Sequence, residues 1–289
     1  MKALFLVNAR SGSNRKRDVA ALIRASCDRD GYEIAPCERK EDLDAIIERA
    51  LRDRFDVVFA AGGDGTVHEV AKRLIGRPLA LAVIPTGSGN GFARHIGFPL
   101  DPRKTIAACR DARVVAIDTA EVNGDPFIGV MGMGFDAFVA HRFEEETRRG
   151  MLTYMRAGVR SLIGFKPEDY ELTIDGETIR ERAIVVAVAN TAQYGNNARI
   201  APHASVRDGL LDVVILRRAS PVLIVRLFAG TLDRSRAVIM RRAAEVIIKR
   251  GAAGDAHLDG EPLTLPRELQ VRVRPRSLNV LVPPGAESI

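Results

Sequence analysis

Apolar and polar positions alternate in a strand-and-helix pattern along the first third of the chain. Short runs rich in β-branched residues predict buried strands, and apolar residues spaced three or four positions apart predict amphipathic helices. The predicted strands are residues 2–7, 33–36, 56–60 and 79–85, and the predicted helices are residues 15–27, 41–51, 66–74 and 102–110. This alternation predicts a parallel sheet covered by helices on both faces.

From about residue 114 the pattern becomes typical of antiparallel strands, with tight-turn signals at Asn123-Gly124 and Asp175-Gly176. The predicted strands are residues 114–122, 126–131, 170–174, 183–189, 211–216, 246–249, 269–273 and 278–282. We therefore expect an α/β domain over residues 1–115. A mainly antiparallel β domain should cover residues 116–289.

Two basic, amphipathic segments interrupt the strands, at residues 148–165 and 221–242. Two interpretations stay open for both. They could be ordinary helices packed on a sheet, or they could form a surface facing a membrane or a lipid.

A dense glycine turn joins the third predicted strand to the next helix: Gly62, Gly63, Asp64, Gly65 and Thr66. Glycine there would allow positive φ and close approach of a ligand. The helix N-terminus beyond the turn would offer unpaired N–H groups to a phosphate. A carboxylate in such a site favours a bridging Mg²⁺. A plain tight turn is the alternative, but this density of glycines favours a phosphate site.

Two more polar loops should lie at the same sheet edge, because ligands bind beyond the carboxyl ends of parallel strands. They are residues 8–13 and 86–91. The second supplies groups suited to phosphate oxygens or ribose, namely Gly87, Ser88, Gly89 and Asn90.

Composition limits the classes of function. The 289 residues carry a formal net charge of +6, which suits anionic partners such as nucleotides, an acidic membrane surface or nucleic acid, although a generally solubilising charge is equally compatible. Only 5% of the residues are aromatic and none is Trp, which weighs against nucleic-acid binding. Three scattered cysteines, the short apolar start and the lack of an apolar run of about 18 residues predict a cytoplasmic chain with reduced thiols.

The turn at residues 62–66 resembles the nucleotide-binding signature of the diacylglycerol kinase and sphingosine kinase group of lipid kinases. NAD kinases and phosphofructokinases carry a related loop. Residues 87–90 resemble the second nucleotide loop of the lipid kinases. Gly91 stands where bacterial diacylglycerol kinases usually have Asp, whereas sphingosine-type members often show a similar Gly-Ser-Gly-Asn run.

The resemblance implies further nucleotide contacts. Asn8 belongs to a segment similar to the Asn-Pro-x-x-Gly start of the family, with Ala9 in place of Pro. Cys37 lies near the end of the second strand, where relatives line the nucleotide site. His68 stands where relatives tend to carry Asn. The chain has no Walker lysine, so arginines such as Arg10, Arg15 or Arg94 are expected to meet phosphate charge.

Asp259-Gly260-Glu261 could be a simple hairpin turn, but it matches the Asp-Gly-Glu motif of the family. A carboxylate accepts the hydroxyl proton in kinases generally. Asp259 is therefore the expected general base, with Glu261 as its near rival.

The resemblance extends to residues 118–137, like the opening of the family's C-terminal domain, and implies that the last strand, residues 277–283, returns to the first domain. A segment near residue 208 resembles one that holds a structural divalent ion through Ser205, Asp208 and Leu210, although a plain turn is equally compatible.

The sequence thus predicts an ATP- and Mg²⁺-dependent kinase that phosphorylates a hydroxyl of a membrane lipid, diacylglycerol-like or sphingoid-like, in a cleft between its domains. Asp64 would organise the metal. Peripheral contact with an acidic membrane is expected, and binding of nucleic acid is not. The alternatives are an NAD kinase-like or other small-molecule kinase, and a non-catalytic protein that binds nucleotide or lipid.

Overall fold

The structure is a computed structural model that describes residues 1–8, 13–26, 32–37, 39, 41–145, 165–286 and 289. The chain forms two compact units. Unit 1 comprises Met1–Thr119 and Pro275–Ile289, and unit 2 comprises Ala120–Arg274. Two strands run from one unit into the other, β5 (Arg113–Val122) and β16 (Glu268–Val282).

Unit 1 has the predicted α/β alternation. Its remaining elements are β1 (Ala3–Asn8), α1 (Ser13–Ser26), β2 (Tyr32–Cys37), α2 (Asp42–Arg52), β3 (Val57–Gly62), α3 (Asp64–Leu74), β4 (Ala80–Pro85), α4 (Gly91–His95) and α5 (Pro102–Ala108). The strands pair in parallel in the order β2-β1-β3-β4, and Val280 of β16 then pairs in parallel with Leu81 of β4.

Burial explains the sequence pattern of unit 1. Every residue of β3 and β4 is buried, as expected for strands covered on both faces. The apolar stripe of α2 is buried at Leu43, Ile47 and Ala50. The Phe5 and Phe59 rings stack with their centroids 4.3 Å apart, which ties β1 to β3.

Unit 2 is mainly antiparallel, also as predicted. Its elements are β6 (Asp125–Phe127), β7 (Val130–Gly134), α6 (Phe135–Glu145), β8 (Glu168–Ile174), β9 (Glu177–Ala183), β10 (Val185–Ala189), β11 (Leu211–Leu216), α7 (Pro221–Ala229), a 3-10 turn (Leu232–Arg234), β12 (Val238–Ala243), β13 (Glu245–Arg250), β14 (Gly254–Leu258) and β15 (Glu261–Leu265). A six-stranded sheet runs β12-β11-β10-β7-β14-β15. Strand β13 lies between β8 and the first part of β16, and β8 pairs with β9.

Strand β10 shows how the core of unit 2 is layered. Val186 and Val188 belong to one apolar cluster. That cluster includes side chains from the six-stranded sheet and from strands β8, β13 and β16. Val185 and Ala187 belong to a second cluster on the opposite face, with Leu223 of α7. Because both faces of β10 are covered, the strand is a continuous apolar run without alternation.

Several boundaries differ from the predictions. The strand expected at residues 126–131 is divided between β6 and β7, and the last two expected strands form one continuous strand, β16. The segment at residues 221–242 is helical only as far as Ala229, because Gly230 adopts a left-handed conformation (φ 65°) and ends the helix. The segment at residues 148–165 lies outside the described residues except for Phe165. Within the described ranges, no helix combines the length and the apolar composition needed to cross a lipid bilayer.

Candidate active site

The carboxyl ends of the unit 1 strands bring the predicted nucleotide residues to one sheet edge. Asn8 at the end of β1 pairs with Cys37 at the end of β2, and Gly62 at the end of β3 pairs with Pro85 at the end of β4. The parallel register therefore aligns the starts of the loops that follow these strands, as the sequence predicts.

Residues 62–66 span the end of β3, the connecting residue Gly63 and the first turn of α3, and the positive φ expected of these glycines is not found. Helix α3 begins at Asp64, and Gly63 is extended with φ −89° and ψ −173°. None of the three glycines of this turn is among the positive-φ glycines of the described chain.

Close packing explains these glycines instead. A Cβ at Gly62 would lie 2.4 Å from the side chain of Thr66. A Cβ at Gly87 would lie 2.6 Å from the Cα of Gly63, so the two loops meet backbone to backbone. Larger residues would separate them.

Asp64 joins the same two loops through a hydrogen bond. Its Oδ1 accepts from the backbone N–H of Gly91 at 2.7 Å. The carboxylate also lies in the first turn of α3, where the helix dipole favours negative charge. One oxygen of Asp64 therefore serves the loop structure in addition to any role toward a ligand.

Asn90 fixes the shape of the second loop. Its backbone is left-handed (φ 50°), a conformation that Asn tolerates well. The side-chain Oδ1 accepts from Gly87 N–H at 3.1 Å, and Nδ2 donates to the Gly87 carbonyl at 2.8 Å. Arg94 adds a bond from Nε to the Gly89 carbonyl at 3.0 Å. Ser88 is exposed, so its hydroxyl faces outward from a rigid loop.

A cavity of about 390 Å³ lies beside this loop. Thr86 and Gly87 line it, together with Asp101 and Arg103 at the start of α5. The turn at residues 62–66 does not line it, so the cavity covers at most part of a nucleotide site.

Two other predicted nucleotide residues differ in burial, because Cys37 is half-buried and His68 is buried. The Cys37 thiol donates to the Arg39 carbonyl at 3.2 Å, and burial raises its pKa. His68 of α3 is only 3% exposed. Of the expected phosphate-binding arginines, only Arg94 has a described side chain.

The Asp-Gly-Glu motif forms the hairpin turn between β14 and β15. Leu258 pairs with Glu261, so Asp259 and Gly260 are the two turn residues. Both have positive φ, 53° and 87°, which is typical of a type I′ turn. Glu261 follows the turn as the first residue of β15 and is half-buried.

The Asp259 carboxylate binds a second backbone segment, 130 residues away in sequence. Its Oδ1 accepts from Gly129 N–H at 2.7 Å and from Val130 N–H at 2.9 Å, and Oδ2 accepts from Ile128 N–H at 2.9 Å. Three backbone N–H donors therefore hold both oxygens of this carboxylate. This geometry makes the Asp259 carboxylate better suited to holding the turn in place than to accepting a proton.

Behind the turn lies a buried cluster that sequence reasoning missed. Asp136 Oδ2 accepts from the Tyr194 hydroxyl at 2.9 Å and lies 3.4 Å from His257 Nε2. Gly260 N–H donates to His257 Nδ1 at 3.3 Å, which places the proton of a neutral ring on Nε2, toward Asp136. A Cβ at Gly132 would lie 1.9 Å from Asp136 Oδ2.

One signal in the sequence could have revealed this cluster. His257 is a polar residue between Ala256 and Leu258 in a buried strand, and His257 itself is 3% exposed. Burial raises the pKa of Tyr194 well above its ordinary value, and the Asp136 carboxylate adds to the rise. The cluster therefore supports the Asp259–Gly260 turn from inside unit 2.

Comparison with known proteins assigns the family. Residues 2–122 match the diacylglycerol kinase catalytic domain, and residues 129–282 match the YegS C-terminal NAD kinase beta sandwich-like domain. The chain is 31% identical to a Pseudomonas aeruginosa protein named "Probable lipid kinase YegS-like", covering 99% of this chain and 95% of that protein. This chain belongs to the diacylglycerol kinase and YegS family of lipid kinases.

One further relative agrees with the family assignment, and a solved structure shares the fold. It is 30% identical to the diacylglycerol kinase of Bacillus subtilis strain 168, over 90% of this chain and 89% of that protein. A crystal structure of a diacylglycerol kinase from Bacillus anthracis strain Sterne has a TM-score of 0.76 at 19% identity, covering 99% and 98% of the two chains. The structural likeness shows the shared fold.

The divalent ion that the lipid kinase resemblance implies at Ser205, Asp208 and Leu210 does not fit the residues as they lie. Asp208 Oδ1 accepts from Leu210 N–H at 3.0 Å, and Oδ2 pairs with the Arg242 guanidinium. Arg242 Nε also lies 3.8 Å from Asp212 Oδ2. Burial raises the Asp212 pKa to about 6, and Arg242 opposes that rise. The guanidinium thus occupies the place that a cation would need on Asp208.

Proposed function

We propose that the protein transfers the γ-phosphoryl group of ATP to a hydroxyl group of a membrane lipid, with Mg²⁺ as the metal. The observation that carries this proposal is the joining of two glycine loops at the carboxyl ends of β3 and β4 by the Asp64–Gly91 bond and the Gly63–Gly87 contact. Family membership supports the lipid acceptor.

The chain supplies a rigid backbone surface for the nucleotide. The first N–H groups of α3 have no partner within their own helix and suit phosphate oxygens. Ser88 offers an exposed hydroxyl on the second loop, while Asn90 holds that loop in shape. Asn8, Cys37 and His68 stay proposed as nucleotide-side residues.

Asp64 is the proposed residue that organises Mg²⁺, and a carboxylate oxygen is the kind of donor that this ion prefers. When bound, Mg²⁺ would neutralise charge on the transferring phosphate. The Asp64 bond to Gly91 would keep the carboxylate in place without reorganisation.

Glu261 is the proposed acceptor of the hydroxyl proton. Both oxygens of Asp259 already accept backbone N–H bonds, so Asp259 is better suited to position the turn that carries Glu261. This reverses the order of preference that the motif alone suggested.

The test incubates γ-labelled ATP and Mg²⁺ with the protein and a total lipid extract dispersed in detergent, and then separates the lipids. We expect label in a lipid band that disappears with Glu261→Gln and with Asp64→Asn. Label on a soluble acceptor such as NAD would favour a small-molecule kinase. Nucleotide binding without transfer to any acceptor would favour the non-catalytic alternative.

A further inference from the structure

Helix α7 is apolar on its exposed side as well as on its buried side. Every residue of the helix except Arg226 is apolar. Leu223 packs into the core of unit 2, whereas Val222 and Val225 are 60% and 68% exposed. The two valines lie one turn apart on the helix and form an apolar strip that faces solvent.

The ends of the helix are well defined. Ser220 precedes it as an N-cap, with its hydroxyl accepting from Leu223 N–H at 3.4 Å, and Gly230 ends it. The exposed valines therefore belong to a regular helix and not to an irregular loop. A helix that is apolar all round suits an apolar environment on both sides.

The segment that contains this helix is rich in positive charge. Residues 217–242 contain seven arginines and a single acidic residue, Asp233, so the segment carries a charge as large as the net +6 of the whole chain. Arg217 pairs with Glu181, and Arg242 pairs with Asp208.

Three other arginines of the segment, Arg218, Arg234 and Arg236, are exposed. Among the described residues, none forms an ion pair with these three arginines, so their charges remain available to an external partner. We define the α7 face as Val222 and Val225 together with these three arginines.

We propose that the α7 face docks the protein on an anionic lipid bilayer. Apolar side chains beside unpaired arginines match the interface of such a bilayer, where the valines enter the acyl boundary and the arginines meet lipid phosphates. The inference rests on the proposed function, since a kinase for an insoluble lipid must reach a membrane surface. It adds which surface makes the contact and which lipid charge it needs.

The first experiment measures co-sedimentation with phosphatidylcholine vesicles that contain either no phosphatidylglycerol or about 30 mol% of it. We expect at least tenfold stronger partitioning onto the anionic vesicles, weakened by salt because exposed charges are screened. The double variant Val222→Glu with Val225→Glu should lose at least tenfold in partitioning. Val114→Glu is the matched control, because Val114 is an exposed valine of unit 1 (52%).

A second pair of variants separates local charge from net charge. Replacing Arg218, Arg234 and Arg236 by Gln removes three positive charges from the α7 face, and we expect severalfold weaker partitioning. The control makes the same change at three exposed arginines of unit 1, Arg24, Arg52 and Arg110. Equal loss in both triple variants would overturn the proposal, because net charge would then suffice.

Activity distinguishes failure of docking from failure of the kinase proposal. The valine variant should phosphorylate detergent-dispersed lipid at the rate of the unaltered protein and lose activity only on vesicles. If the unaltered protein transfers phosphate in detergent but never binds anionic vesicles, docking by α7 is overturned and the kinase proposal stands. Unchanged vesicle binding by the valine variant, or self-association that the valine variant abolishes without any effect on vesicles, would also overturn it.

Discussion

The turn at Asp64 in unit 1 and the turn at Asp259 in unit 2 use their aspartates differently. Asp64 lies at the start of a helix after a parallel strand, and it bonds Gly91, 27 residues along the chain. Asp259 lies in a type I′ hairpin and bonds three consecutive N–H groups near Gly129. Both carboxylates join distant segments, and in Asp259 both oxygens accept backbone N–H bonds.

This difference teaches that a motif match does not assign roles within the motif. The Asp-Gly-Glu turn contains an anchor and a second carboxylate, and the hydrogen bonds separate them. Substitutions at Asp64 should therefore affect chemistry more than folding, whereas substitutions at Asp259 should affect folding first.

The largest expected effect is that of Asp64→Asn. The amide oxygen can still accept from Gly91, but the negative charge for Mg²⁺ is lost. We expect kcat/KM to fall about 100-fold or more, which corresponds to about 2.7 kcal/mol. The unfolding temperature should change little. The rate of ADP formation measures kcat/KM, and a thermal melt measures the unfolding temperature. A normal rate would contradict the proposed difference between Asp64 and Asp259.

Gly87→Ala tests whether close packing of the second loop supports the turn at residues 62–66. The added methyl group would lie 2.6 Å from the Gly63 Cα, and backbone must move to make room. We expect ATP affinity to fall about tenfold and stability to fall by about 1–3 kcal/mol. Calorimetric titration with ATP measures the affinity. Gly251→Ala is the control, because a Cβ there meets open space; equal losses in both variants would contradict the packing account.

Asp136→Asn tests whether the buried cluster of Asp136, Tyr194 and His257 supports the Asp259–Gly260 turn. It weakens the bonds to the Tyr194 hydroxyl and His257 Nε2 in a buried site, at a cost of about 1–3 kcal/mol. We expect kcat to fall about fivefold to tenfold with an unchanged KM for ATP. Tyr194→Phe, which removes one of these bonds, should have a smaller effect on kcat. A raised KM for ATP instead would indicate that the cluster does not act through the turn.

Arg242→Ala, which lies outside both turns, should have the smallest effect. Losing the guanidinium leaves Asp208 and Asp212 without their counter-ion and lowers stability by about 1 kcal/mol. Millimolar Mg²⁺ or Ca²⁺ should raise the unfolding temperature of this variant but not that of the unaltered protein. Arg241→Ala is the control, and an ion-dependent rise in the unaltered protein would show that a cation competes with Arg242.

Local patterns predicted the unit 1 elements well, because buried parallel strands are apolar runs and the helix stripes are regular. Strands β14 and β15 were not predicted, since Gly254, Asp255 and His257 make β14 look polar, although a hairpin turn at residues 259–261 was one of the two interpretations of that motif. Helix α7 was predicted too long, because the apolar pattern continues beyond Gly230 into a 3-10 turn and strand β12.

The candidate site was predictable at the level of loops but not of contacts. The β–α alternation predicts parallel strands whose carboxyl ends are aligned, as in the pairing of Asn8 with Cys37 and of Gly62 with Pro85. By contrast, the bonds of Asp259 to residues 128–130 join segments that nothing in the sequence brings together. The ion pair of Arg242 with Asp208 is equally remote and depends on β11 pairing with β12.

The most direct test of the central claim compares Glu261→Gln with Asp259→Asn. Single-turnover transfer from labelled ATP to detergent-dispersed lipid is measured beside a thermal melt. We predict that Glu261→Gln lowers the transfer rate about 100-fold and leaves the unfolding temperature unchanged. Asp259→Asn should lower stability by about 2–3 kcal/mol and lower the transfer rate less than Glu261→Gln does. The reverse pattern, with the larger loss of rate in Asp259→Asn and the lowered unfolding temperature in Glu261→Gln, would contradict the account.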